Sequence, residues 1–249
     1  MKLQIAMDVA TVGEALALSR LVAEYVDIIE LGTQLIKNEG VSAISAVKVC
    51  CPNKTIFADM KTADAGELEA DIAFGAGADL VTVLGAADDD TIRGSVTSAR
   101  RHGKGVVADL VAIRDRVSRA REVAALGVQF SEFHAGPDEQ ARPGYSLRTV
   151  IDEGRRSLTP FSVAGGVTGD DVLDVWAAGA LVAVVGGAVH GAPDPRAAVR
   201  EFRAALDAVS VIWPAVVPAA RQGPPHGVPR GVGPGKGGCV RVLADGPSR

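Results

Sequence analysis

The feature that most constrains this chain is a repeat. Eight short apolar or β-branched runs recur along it: LQIAMD (3–8), VDIIEL (26–31), TIFAD (55–59), DLVTVL (79–84), GVVADL (105–110), QFSEFHA (129–135), PFSVAG (160–165) and LVAVVG (181–186). Between them stand helix-forming stretches such as VGEALALSRLVAEY, GELEADIAFGAG, DTIRGSVTSARRHG and RDRVSRAREVAALG, several ending on a glycine where a helix C-cap requires one. Alternation of this kind builds parallel βα units. Successive runs start about 20 to 30 residues apart, and eight such units in about 210 residues fit a closed (β/α)8 TIM barrel, an α/β fold. The rival is an open, doubly wound sheet. Against it, the turn after the first strand, DVATVGEA, lacks the G-x-G-x-x-G pattern of a dinucleotide-binding first turn.

With 47% hydrophobic and 22% charged residues in 249, the chain has apolar material for one sizeable core or two small ones. Its net charge of −4 gives no general attraction to nucleic acid or to anionic membranes, so a bound phosphate must be held by local features. The N-terminus reaches Asp8 before a signal-peptide apolar region can form, and no apolar run approaches the ~18 residues of a membrane span. A cytoplasmic protein is expected. Cys50 and Cys51 are adjacent, a poor geometry for pairing, and Cys239 lies far away; they read as free, non-catalytic thiols. The barrel is expected over residues 1–209. Residues 211–249 hold seven of the thirteen prolines and show no periodicity, so 210–249 reads as a disordered or loosely attached tail. Its RQGPPHGVPRGVGPGKGG portion is either a weak basic interaction segment or an extension without a role.

A (β/α)8 barrel assembles its active site from the C-terminal ends of its strands. Strand 1 ends in Asp8, strand 2 carries Glu30, strand 3 ends in Asp59 with Lys61 two residues on, strand 5 ends near Asp109 and strand 6 ends in His134. Any one of these carboxylates, Asp8 or Asp109 for example, can be a helix cap or turn residue. Several aimed at one mouth repel one another unless they hold a metal or a polar substrate. Glu30 and Asp59, from neighbouring strands, supply hard oxygen ligands suited to Mg²⁺. With one histidine and no nearby cysteine, they do not make a zinc site. Lys61 is either an ion-pair partner that neutralises carboxylates or a cation placed to stabilise an oxyanion. Strands 7 and 8 end in Gly165-Gly166 and Gly186-Gly187, where bare backbone N–H groups can approach a phosphate.

The stretches AEYVDIIELGT (23–33), FADMKTADAGELEADIAFGAGADLVTVLG (57–85), EFHAGPDEQA (132–141) and PFSVAGGV (160–167) resemble the 3-hexulose-6-phosphate synthases of the orotidine 5′-monophosphate decarboxylase suprafamily. The resemblance covers about residues 1 to 208. Its most specific part is the D-x-K-x-x-D array of Asp59, Lys61 and Asp64, shared across the suprafamily, while ELGT and HAG-x-DEQ narrow it to the synthases. The resemblance implies a Mg²⁺-dependent aldolase that joins formaldehyde to D-ribulose 5-phosphate through an enediolate, with metal on Glu30 and Asp59. It implies His134 as general base, Lys61 balancing charge on oxygen, and Asp8 orienting Lys61 or a substrate hydroxyl. It further implies a homodimer in which Asp64 reaches into the partner's site.

The related 3-keto-L-gulonate-6-phosphate decarboxylases carry an Arg after strand 8 and another after the strand 6 histidine, where this chain has Gly187 and Pro137. That departure favours the synthase and leaves phosphate to backbone amides. Two alternatives stay open at this level: decarboxylation of a 3-keto sugar-acid phosphate, and a sugar-phosphate binding protein without catalysis.

Overall fold

The computed structural model describes residues 1–212, so most of the 210–249 tail lies outside the described residues. Eight parallel strands close into a barrel in sequence order, β1 through β8, with β8 pairing back onto β1. The strands are β1 Lys2–Met7, β2 Ile28–Leu31, β3 Thr55–Thr62, β4 Leu80–Leu84, β5 Gly105–Asp109, β6 Phe130–His134, β7 Phe161–Ala164 and β8 Val182–Val185. The helices are α1 Val12–Val22, α2 Thr33–Glu39, α3 Ser42–Cys50, α4 Gly66–Gly75, α5 Asp89–His102, α6 Arg116–Leu126, α7 Pro137–Gln140, α8 Leu147–Ser157, α9 Val172–Ala177, α10 Gly187–His190 and α11 Pro195–Ile212, with a 3₁₀ turn at Gly169–Asp171. The open-sheet rival is thereby excluded.

Local chemistry sets where these helices begin and end. Thr11 and Glu14 form a reciprocal capping box at α1, each side chain bonding the other's backbone N–H. Asp88 and Asp115 cap α5 and α6 with their carboxylates, and Gly103 and Gly127 end the same two helices in the left-handed conformation. Chain direction therefore reverses at fixed points, and each following strand is delivered to the same end of the barrel.

Strand alternation sorts the core into two populations. Outward residues such as Leu3, Ile5, Ile29, Ile56, Val81 and Val106 pack against the helices in one large cluster. Inward residues form a second, smaller cluster of Ile28, Phe57, Leu80, Val107, Phe130, Ala164, Val182 and Val184. Side chains two residues apart share a face, so the next inward position after this apolar layer falls on Glu30, Asp59, Thr82, Asp109 and Glu132. An apolar floor thus carries a polar layer directly above it.

The strand boundaries differ in small ways from the sequence expectation. Asp8 stands one residue beyond β1, and β3 runs on past Asp59 to Thr62. The β3 extension reflects an irregular pairing that no side-chain pattern announces. Ala58 pairs with Val81 and Thr62 with Val83, so three residues of β3 face the single β4 residue Thr82.

Phe57 is fully buried in the barrel floor, whereas Val49 on α3 is 81% exposed. Phe57→Ala is expected to lower unfolding free energy by about 3–5 kcal/mol and Val49→Ala by less than about 0.5 kcal/mol, read from denaturant midpoints. Equal losses would mean that the floor is not a packed layer.

Candidate active site

Asp109, in the polar layer above the floor, has no solvent exposure. Its Oδ2 accepts from the Lys61 ammonium at 2.6 Å and lies 3.1 Å from His134 Nδ1. Its Oδ1 accepts from the backbone N–H of Val111 at 2.8 Å, which makes the local turn after β5. Burial alone would raise the pKa of this carboxyl, but the bonds and charges of His134 and Lys61 outweigh it and bring it down to about 2. Asp109 is therefore an acceptor at all ordinary pH values, and the histidine nitrogen facing it carries the proton. In the neutral imidazole this leaves Nε2 as the lone-pair nitrogen. For His134, burial disfavours the charged ring, yet Asp109 overrides that and holds its pKa above the usual 6.5.

Asp59 is held just as firmly. Lys61 Nζ lies 3.1 Å from Oδ1 and 2.9 Å from Oδ2, Thr82 Oγ1 donates to Oδ1 at 2.8 Å, and Thr33 Oγ1 donates to Oδ2 at 2.7 Å. Lys61 resists losing its proton because Asp109 and Asp59 outweigh the desolvation of its ammonium. Its backbone stands at φ +47°, a left-handed conformation that costs a non-glycine residue on the order of 1–2 kcal/mol. Ala65, at φ +52°, repeats this four residues later, so strained backbone falls within the D-x-K-x-x-D segment and immediately after it.

Two further carboxylates complete the layer. Glu30 accepts from Gln4 Nε2 at 2.8 Å, and the Gln4 carbonyl Oε1 is buried with no partner among the described residues. Burial, then the charges of Glu132 and Asp59, push the Glu30 pKa well above its ordinary value. Glu132 pairs across the sheet with Asp109, and burial followed by the Asp109 charge push its carboxyl up to about 7. Four carboxylates thus face one lysine and one histidine, an excess of negative charge that a cation relieves. One ligand atom each from Asp109, Glu132 and His134 lies within 4.8 Å of the others, a grouping able to hold a metal ion.

Of the sequence-derived site residues, Glu30, Asp59, Lys61 and His134 come together in this mouth. Asp8 is exposed and lies against Gly32, while Lys61 takes Asp59 and Asp109 as its charged partners. Asp64 is exposed and accepts from the N–H of Ala65 at 2.7 Å. Gly165 and Gly166 follow β7, beside the strand that ends in His134, with φ of +118° and +82°, values that side chains rarely adopt. A Cβ on Gly165 would also come within 2.6 Å of the Ala135 carbonyl oxygen. Gly186 precedes α10 and Gly187 opens it.

Glu132, Thr82, Thr33 and Arg116 were not singled out from sequence. Glu132 was open to discovery, because it stands two residues before His134 and so shares its face. Arg116 is buried on α6, pairs with Glu139 and Glu153, and donates to the backbone carbonyls of Leu110 and His134. It ties the ends of β5 and β6 together from behind, through contacts that span up to 37 residues of sequence.

Comparison with known proteins agrees with this geometry. The profile of the orotidine 5′-phosphate decarboxylase / HUMPS family matches residues 1–202. The 3-hexulose-6-phosphate synthase of Mycobacterium gastri is 60% identical over 206 residues, which are 83% of this chain and all of that protein. The synthase of Methylomonas aminofaciens is 41% identical over 202 residues, 80% of this chain and 96% of that one. A crystal structure of 3-hexulose-6-phosphate synthase superposes with a TM-score of 0.82 at 61% identity, covering 83% of this chain and 100% of the other. The 3-keto-L-gulonate-6-phosphate decarboxylase of Vibrio cholerae is more distant, at 28% identity and a TM-score of 0.71 over 83% of this chain and 97% of its own. A half-buried lysine and histidine set among buried carboxylates on a closed barrel, and identity of this extent, lead to one conclusion: the chain belongs to the orotidine 5′-phosphate decarboxylase / HUMPS family and, within it, to the 3-hexulose-6-phosphate synthases.

Proposed function

We propose that this chain joins formaldehyde to D-ribulose 5-phosphate, giving D-arabino-hex-3-ulose 6-phosphate. The observation that carries the reading is the 60% identity over the full length of the M. gastri synthase. No helix among the described residues is long and apolar enough to cross a membrane, and Cys50 and Cys51 are free, which supports a cytoplasmic setting.

The cofactor is Mg²⁺, with Glu30 and Asp59 as its protein ligands. The fit is chemical: both are buried hard-oxygen donors, and the raised pKa of Glu30 marks a carboxylate that lacks a compensating cation. When bound, the metal supplies a Lewis acid for the oxygens of the ketose. The chain's own residues do the rest. His134, its Nδ1–H directed at Asp109, offers Nε2 to remove a proton from C1. The resulting enediolate carbon attacks formaldehyde, and the imidazolium returns its proton to the new alkoxide. Lys61, kept charged by Asp59 and Asp109, balances the negative charge that develops on oxygen. The backbone N–H groups around Gly165, Gly166, Gly186 and Gly187 hold the phosphate across the mouth.

The homodimer forms part of the same reading. Asp64 lies outside the cluster of its own subunit, and on α4 just beyond it Leu68 and Ile72 are 63% and 45% exposed one turn apart. That apolar strip suits a second copy, which would receive Asp64 at its site.

Incubation with formaldehyde, ribulose 5-phosphate and Mg²⁺ should consume formaldehyde, and EDTA should stop it. Full activity in EDTA, or CO₂ release from 3-keto-L-gulonate 6-phosphate without formaldehyde consumption, would refute the proposal. His134→Ala should lower kcat by about 10²–10⁴ while ribulose 5-phosphate affinity holds. Because the base works unprotonated, kcat/KM should rise with pH through a midpoint above 6.5, and Asp109→Asn should move that midpoint down. Mixing inactive Asp64→Ala and Lys61→Ala subunits should restore about a quarter of wild-type activity, since half the dimers are then hybrids with one intact site. No recovery on mixing would place Asp64 in its own subunit's chemistry or outside catalysis.

A further inference from the structure

The β3 segment that carries Asp59 and Lys61 does not follow regular strand geometry. Three residues, Asp59, Met60 and Lys61, stand opposite the single β4 residue Thr82, and Lys61 adopts φ +47°. A bulge of this kind leaves a backbone N–H without its ladder partner. Here the Lys61 N–H finds one: it donates to Thr82 Oγ1 at 2.8 Å. The same hydroxyl spends its single hydrogen on Asp59 Oδ1, also at 2.8 Å. Thr82 is fully buried on the inward face of β4, one position above Leu80 of the barrel floor. One hydroxyl therefore bonds the backbone of the lysine and the side chain of the aspartate, the two groups that the rest of the cluster is arranged around.

We infer that Thr82 is a positioning residue: its hydroxyl locks the β3 bulge, holding the left-handed Lys61 backbone and the Asp59 carboxylate in the geometry that the reaction uses. Among the described residues, no side chain from outside the bulge other than Thr82 bonds both Asp59 and Lys61; Thr33 reaches Asp59 alone, through its carboxylate and its carbonyl. A strained backbone persists only where its surroundings over-determine it, and Thr82 supplies that constraint from the neighbouring strand. Without the hydroxyl, Lys61 can relax toward extended geometry and carry its ammonium away from Asp109.

The kinetic arm of the test rests on the synthase reading; a substrate-free arm does not. Thr82→Val keeps the shape and removes both hydrogen bonds, whereas Thr82→Ser keeps both. The Val variant should lose on the order of 10²-fold in kcat with KM for ribulose 5-phosphate little changed, and the Ser variant should regain most of the rate. Hydrogen exchange in the segment 59–65, measured on the full chain without substrate, should be about tenfold faster in Thr82→Val than in wild type or Thr82→Ser. Thr82→Ala serves the same comparison if the Val side chain disturbs folding. A Val or Ala variant with wild-type exchange would overturn the inference, as would a Ser variant as impaired as Val. A wild-type protein inactive with formaldehyde would sink the proposed reaction and leave the exchange comparison to decide the lock.

Discussion

A carboxylate withdrawn completely from water stays charged only where cations and donors are brought to it. Asp109 meets that condition at the centre of this barrel, and much of the site's order follows from how. Lys61 comes from β3, His134 from β6, and the Val111 N–H from the turn that follows β5. Three separate segments converge on one side chain, each with a defined angle of approach. Fixing Asp109 thereby fixes the protonation of Lys61, the tautomer of His134 and the direction in which the histidine's remaining nitrogen points.

The barrel makes that convergence possible. Period-two alternation places an apolar layer, including Phe57, Leu80, Val107 and Phe130, beneath the charged one, so the charges stand on a floor without water. In such surroundings the Lys61–Asp109 contact is worth far more than an exposed ion pair, but the same dryness penalises Glu30 and Glu132, which have no cation of their own. The layer is thus unbalanced by design, firm around Asp109 and Asp59 and electron-rich around Glu30. In the proposed reading, a divalent cation held by Glu30 and Asp59 would answer that imbalance.

Much of this was legible in the sequence because period and punctuation carry it. Eight apolar runs separated by helical stretches gave the barrel, and polar residues at run ends gave Glu30, Asp59, Lys61 and His134. What the sequence concealed has physical causes. The bulge in β3 depends on a positive φ at Lys61, and no property of a lysine side chain announces that conformation. Asp109 stands among the strand-end polar residues with a turn or cap as its alternative reading; its Oδ1 does make a turn, but its second oxygen holds the cluster through partners 25 and 48 residues away. Arg116 binds the backbone just past β5 and at the end of β6, contacts that leave no trace in residue pattern. Asp8, by contrast, looked like its fellows because it too ends a strand, yet it lies one step past β1 and remains exposed.

Asp109 sets the state of His134, and ring NMR of the histidines reads this most directly. The chain has four histidines, and loss of one resonance set in His134→Ala assigns the relevant ring. In wild type its neutral form should be the Nδ1–H tautomer, titrating above the ordinary 6.5. An Nε2–H tautomer, or a midpoint at or below 6.5, would contradict the account.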